Sequence, residues 1–179
     1  MTFEFATATR IVFGEGKRSE LFAAAKSFGT RGLLVTGANP GRAAWVREGL
    51  RKVGAEVETF TFPTEPTLSR VEEGRRIARA SDTQFVIGVG GGSAIDGGKA
   101  IAALATNEGE IGYYLEIIGG AKPLTKAPLP FLAVPTTAGT GAEPGNMIED
   151  DTLPDIRSTD DGDDQISIVG QLWKKLACQ

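Results

Sequence analysis

Residues 84–106, Q-F-V-I-G-V-G-G-G-S-A-I-D-G-G-K-A-I-A-A-L-A-T, constrain the fold of this chain more than any other stretch. Residues 84–89 form a short apolar run with β-branched members, the pattern of a buried strand. The run stops at Gly90, Gly91 and Gly92, where missing Cβ atoms let the backbone turn sharply and approach another group. Residues 93–105 then read as a helix, with Ile95, Ala102 and Leu104 among its apolar positions. A strand, three glycines and a new helix N-terminus make a seat for phosphate: free backbone N–H groups and the positive dipole end aim at one point. The same residues also suit a turn with nothing bound, in which Ser93 and Asp96 form an S-x-x-D cap. Two sharper motifs do not fit. A Walker A loop needs glycine five before Gly98 and Ser or Thr after Lys99, but Ser93 and Ala100 stand there. The fingerprint G-x-G-x-x-G starts at Gly88 and Gly90 and meets Ser93 at its last position.

The rest of the chain repeats the strand-then-helix pattern. Strands are expected at 3–5, 10–13, 33–36, 57–62, 84–89 and 131–134. Helices are expected at 18–28, with Leu21, Phe22, Ala25 and Phe28 on one face, and at 42–53, with Val46, Leu50 and Val53 inward. Thr67 can cap a third, where Val71, Gly74 and Ala78 face the core and Glu72 pairs with Arg76 on the wet side. Tyr113, Tyr114, Ile117 and Ile118 suit a short helix in a less regular stretch. Such alternation implies an α/β fold, a parallel sheet covered by helices on both faces, with ligands outside the carboxyl ends of the strands. Gly37, Glu65 and residues 90–93 all fall at such ends, as do Thr136, Thr137 and Thr140 in the loop P-T-T-A-G-T-G-A-E at 135–143. Threonine hydroxyls interleaved with small residues suit phosphate or ribose, since each donates and accepts while glycine lets the backbone come close.

Charge and composition narrow the chemistry. Residues 149–164 hold eight acids against Arg157, a net of −7, so the remainder carries +3 of the total −4. That excess is too small for a nucleic-acid footprint, yet it suits one anionic small molecule. Apolar runs are too short to span a membrane, and the N-terminus lacks a signal pattern. A single cysteine, Cys178, allows no internal disulfide, so a cytoplasmic location is expected. There is no histidine, which removes the commonest general base and the commonest zinc or iron ligand from these 179 residues.

Together, G-G-G-S-A-I-D-G-G-K-A at 90–100 and P-T-T-A-G-T-G-A-E at 135–143 resemble the iron-containing (group III) alcohol dehydrogenase family. R-I-V-F-G-E-G at 10–16, L-L-V-T-G at 33–37 and V-E-x-F-x-x-x-x-x-P-T at 57–67 agree with it. The resemblance implies that residues 1–143 are a Rossmann-like NAD(P)-binding domain, the N-terminal half of a metal-dependent alcohol or aldehyde oxidoreductase. By it, Gly90, Gly91, Gly92 and Ser93 form the pyrophosphate loop, and Asp96 and Lys99 anchor that loop and its helix. Thr136, Thr137 and Thr140 match a second cofactor loop towards the nicotinamide. Glu65 stands where many members carry asparagine. Gly37 stands where NAD-preferring members often carry aspartate, so NADP should be tolerated, with Asn39 as a phosphate neighbour.

The family continues into a helical domain whose one Asp and three His hold Fe²⁺ or Zn²⁺; residues 144–179 instead read as an acidic, poorly structured tail with a short amphipathic piece at 166–176. No catalytic residue or metal ligand is therefore assigned, and the C-terminal helical metal domain is expected to be missing. The expectation is a chain that binds a nicotinamide dinucleotide weakly and turns over nothing alone, with a homo-oligomer allowed. Two alternatives stand beside it: a non-catalytic nucleotide-binding or regulatory module associating with a full-length relative, and a glycerol dehydrogenase or dehydroquinate synthase relative.

Overall fold

The computed structural model describes residues 11–13, 16–115, 122–137 and 146–149. The strand expected at 3–5, Thr140, Ile117, Ile118 and the stretch 150–179 lie outside the described residues. In chain order the elements are β1 Ile11–Phe13, α1 Glu20–Phe28, β2 Arg31–Thr36, α2 Ala44–Lys52, β3 Glu56–Thr61, α3 Leu68–Ala80, β4 Phe85–Gly90, α4 Gly92–Thr106, β5 Phe131–Pro135 and β6 Asn146–Glu149. Short 3₁₀ turns precede α1 and α2, and another follows α4 at Ile111–Tyr114. Six strands form one sheet in the order β1-β6-β5-β4-β2-β3, and every pairing is parallel. Strand β6 falls in the stretch from 144 onward and was not foreseen.

Alternate residues of each strand go to opposite faces, and the two sets meet different helices. On one face Leu34, Phe85, Ile87 and Val134 pack with Leu21 and Ala25 of α1 and Val46 and Leu50 of α2. On the other, Leu33, Val35 and Val86 pack with Val71 and Ala78 of α3 and Ile101 and Leu104 of α4. Helix α4 is buried almost continuously from Ala94 to Leu104, which its glycines make possible. A Cβ added at Gly97 would come within 2.3 Å of the Phe62 ring, and one at Gly98 within 2.7 Å of Phe131. Bare backbone thus lets α4 lie close on the sheet, and β4 is buried along its whole length.

Helix α2 ends earlier than its apolar spacing suggests. Helix α2 stops at Lys52, so Val53 turns outward and is 37% exposed rather than inward. Phe28, the last residue of α1, is likewise exposed. Nor does Glu72 meet Arg76: its carboxylate lies 3.1 Å from Arg75 Nε, and Arg75 is buried, with Nη1 donating to the Gly109 carbonyl at 2.7 Å. The longer-range bond fixes the guanidinium under the chain, and the carboxylate follows it.

The end of α4 is closed by side chains. Arg79 donates to the carbonyls of Leu104, Ala105 and Asn107. The fully buried Asn107 amide donates to the Ala103 and Lys126 carbonyls, and its oxygen accepts from the Thr125 and Lys126 N–H groups, all four at 2.8–2.9 Å. One side chain therefore pins the irregular segment before β5 to the helix that precedes it. Lys126 adds a bond to Glu108 at 3.1 Å, which holds that carboxyl below its usual range. Among the described residues no helix is long and apolar enough to cross a membrane.

Candidate functional site

The loops after β2, β3, β4 and β5 meet at one end of the sheet. Helices α1 and α2 lie on one face and α3 and α4 on the other, so the chain leaves β2 and β4, which are neighbours, towards opposite faces. This is a topological switch point, where a crevice opens between adjacent strand ends. Strand β4 runs straight into that crevice.

At its tip, Gly90 has φ +152°, and an added Cβ would sit 2.8 Å from the Ala94 Cβ and 3.4 Å from the Gly37 nitrogen. Only glycine accepts that backbone and that crowding. The Gly90 carbonyl accepts from the Thr136 N–H at 2.9 Å, tying the loop after β5 to the end of β4. Gly91 is the N-cap of α4 and makes no side-chain cap; the N–H groups of Ala94 and Ile95 both turn back to its carbonyl at 3.1 Å. Gly92 and Ser93 fill the first two helical positions, whose N–H groups have no acceptor within the helix. The S-x-x-D cap does not form, because extended Gly91 already occupies the capping position and Ser93 lies inside the helix. Its hydroxyl faces Glu65 instead, 3.4 Å from Oε1, which brings in the loop after β3.

Thr137 completes the arrangement. A Cβ added at Gly91 would come within 3.2 Å of Thr137 Oγ1, so this hydroxyl lies directly against the glycine loop. Thr137 Oγ1 is buried and has no hydrogen-bond partner among the described residues. A buried hydroxyl left in that state costs about 1–3 kcal/mol, a cost removed by any polar ligand atom reaching it. On the open side, a Cβ added at Gly92 or at Gly37 meets nothing within 4 Å. The two glycines therefore border space rather than packed atoms.

The structure thus brings Gly37, Gly90, Gly91, Gly92, Ser93, Thr136 and Thr137 to one crevice. Asn39 lies in the exposed loop after β2, its Oδ1 accepting from the Gly41 N–H at 3.2 Å. Asp96 is half-buried one turn into α4, and Lys99 is buried one turn further on. Glu65 touches this group of residues through Ser93. Its position at a strand end was legible; its contact with Ser93, 28 residues away, was not. Among the described residues no three His, Cys, Asp or Glu side chains come together as a metal site. The described residues of the crevice therefore offer no ligand set for a metal ion.

Comparison with known proteins agrees with this geometry. Residues 8–148 match the family described as iron-containing alcohol dehydrogenase. The chain is 36% identical over 153 residues to long-chain-alcohol dehydrogenase 1 of Geobacillus thermodenitrificans, covering 79% of this chain and 38% of that protein. It is 39% identical over 140 residues to alcohol dehydrogenase 4 of Saccharomyces cerevisiae, covering 73% and 35%. Among solved structures, sulfoacetaldehyde reductase from Bifidobacterium kashiwanohense in complex with NAD⁺ superposes with a TM-score of 0.68 at 31% identity, over 80% of this chain and 38% of that one. NADH-dependent butanol dehydrogenase A from Thermotoga maritima does so with a TM-score of 0.66 at 34% identity, over 78% and 36%. The chain therefore spans less than two fifths of the length of these relatives. It belongs to the iron-containing alcohol dehydrogenase family.

Proposed function

We propose that this chain holds a nicotinamide dinucleotide, NAD or NADP, and forms the cofactor-binding part of an oxidoreductase acting on an alcohol or aldehyde. The observation that carries the reading is the buried, partnerless Thr137 hydroxyl set against Gly91 at the start of α4. A diphosphate oxygen is an acceptor for that hydroxyl and for the N–H groups of Gly92 and Ser93, and its charge is favoured by the helix dipole. Thr136 and Thr137 line the nicotinamide side, Gly37 and Asn39 the adenosine side, and Asp96 and Lys99 stiffen the helix between them. When bound, the nicotinamide ring exchanges a hydride with the substrate carbon. The protein's own part is to fix the phosphates, so that the ring is held in one place, and to exclude water from the glycine loop. No step is assigned to a metal, because the described residues offer no ligand set.

Replacing Thr137 by valine keeps shape and removes the hydroxyl. Binding of NADH, followed by its fluorescence on titration with the purified chain, should weaken about tenfold, the worth of one bond to a charged group. The thermal midpoint should stay level or rise, since an unsatisfied polar atom is lost. Unchanged NADH affinity would remove the basis of the reading.

Glu65 acts in the opposite direction. Its carboxylate, next to Ser93, repels a diphosphate seated on α4. Glu65→Gln is expected to tighten NADH binding about threefold to tenfold at low salt, and the gain should shrink as salt screens the repulsion. Oxidation of an alcohol by the chain with NAD(P) and added Fe²⁺ or Zn²⁺ would show instead that it carries the whole activity and not the cofactor part alone.

A further inference from the structure

We propose that a groove beside α3 is the seat of the chain's own segment 166–176, which lies outside the described residues. The groove measures about 530 Å³ and runs between α3 and the turn that follows α4. Leu68, Glu72 and Arg75 line it from the helix, and Gly109, Glu110 and Ile111 from the turn. Leu68 and Ile111 make it partly apolar, while Glu72 and the exposed Glu110 make it acidic. It also holds a donor in need of an acceptor. The Arg75 side chain is 9% exposed, and its Nε, though 3.1 Å from the Glu72 carboxylate, makes no aligned hydrogen bond among the described residues. Tyr113, one residue past the groove, is 51% exposed, the most exposed large hydrophobic among the described residues. None of these side chains belongs to the dinucleotide crevice.

Segment 166–176, I-S-I-V-G-Q-L-W-K-K-L, has the complementary chemistry. Val169, Leu172, Trp173 and Leu176 recur at i, i+3, i+4 and i+7, the spacing by which a short helix lays an apolar stripe into a groove. Lys174 and Lys175 adjoin that stripe, and the segment holds no acid, so its charge is opposite to that of Glu72 and Glu110. Backbone carbonyls left free at a helix end are acceptors for Arg75 Nε. The connection fits as well. Parallel pairing puts Glu149, the last residue of β6, at the end of the sheet where α3 begins. Strand β6 lies four strand spacings from β3, roughly 19 Å. Residues 150–165 cover about 20–24 Å on average and about 53 Å at full stretch. Their seven acids against Arg157 pass a helix whose four arginines outnumber Glu72 and Glu73. So short a tether gives an effective concentration in the millimolar range, which favours the chain's own groove over that of a second copy.

Cys178, the chain's single cysteine and two residues beyond Leu176, serves as the reporter. In the full 179-residue chain, Ser69→Cys places a second thiol in the groove, and Lys52→Cys places one at the exposed end of α2 on the opposite face of the sheet. Each variant is equilibrated at low micromolar concentration in a glutathione redox buffer. The fraction carrying an intramolecular disulfide, read by mass spectrometry, gives the effective concentration of the two thiols. It should be at least tenfold higher for Ser69→Cys than for Lys52→Cys. Reversing the charges with Lys174→Glu and Lys175→Glu should bring the Ser69→Cys value down to that of Lys52→Cys, and Glu110→Lys added to that pair should restore most of it. Melting temperatures level with the wild type would show that the variants stay folded. Equal values at the two positions, indifference to the charge reversal, or disulfides formed chiefly between molecules would overturn the proposal.

Discussion

Gly92→Ala is expected to weaken dinucleotide binding at least tenfold while leaving the fold intact or slightly firmer. The two effects have separate causes. In the protein alone a methyl group at this position meets nothing within 4 Å, and Gly92 already lies in the first turn of α4. Alanine suits a helix better than glycine by up to about 1 kcal/mol, less at the first position, so a thermal midpoint raised by roughly 1–2 °C is expected. On the proposed reading, the same methyl group lies where a phosphate oxygen approaches the Gly92 and Ser93 N–H groups. Each charge-assisted bond lost is worth about 1.5–3 kcal/mol, or roughly tenfold to a hundredfold in affinity. Gly90→Ala would not be as informative. At φ +152° and 2.8 Å from the Ala94 Cβ, it damages the backbone before any ligand arrives. Thermal melting combined with NADH titration of Gly92→Ala tests the point: wild-type affinity in a well-folded variant would mean that the phosphates sit elsewhere.

Asn107→Ala is expected to lower the stability of the domain by about 3 kcal/mol, a large part of the roughly 5–15 kcal/mol that holds most domains together. The side chain is fully buried and satisfies two carbonyls and two N–H groups at once. Alanine leaves those of Thr125 and Lys126 without their partner and opens a gap at the end of α4. Urea unfolding should show a lower midpoint with an unchanged slope. A loss under 1 kcal/mol would mean that water replaces the amide at little cost.

Much of this architecture was legible beforehand because glycine and proline punctuate the chain where the hydrophobic period changes. Strands β2 to β5 and helices α1 to α4 follow from that punctuation within a few residues. So does the meeting of the two candidate loops, once the strands that feed them are parallel neighbours, Val89 beside Val134 and Gly90 beside Pro135. What escaped notice depends on contacts between distant residues. Strand β6 is four residues, N-M-I-E, at the margin of an acidic stretch, and its place between β5 and β1 makes it a strand. The burial of Arg75 depends on a carbonyl 34 residues away. The missing Ser93 cap reflects the extended backbone of Gly91, which the pattern S-x-x-D does not encode. The partnerless Thr137 hydroxyl is a property of three-dimensional packing and has no signature in one dimension.

In the described sheet, β1 sits at one edge and β6 is its only neighbour, with Ile11 beside Met147 and Phe13 beside Glu149. On a ribosome the earliest of these strands must therefore wait for the latest. At about 5–20 residues per second the delay is on the order of ten seconds. Through that interval β2 to β5 can assemble while Ile11–Phe13 remains an open edge, so nascent chains stalled short of residue 146 should be the ones that recruit chaperones.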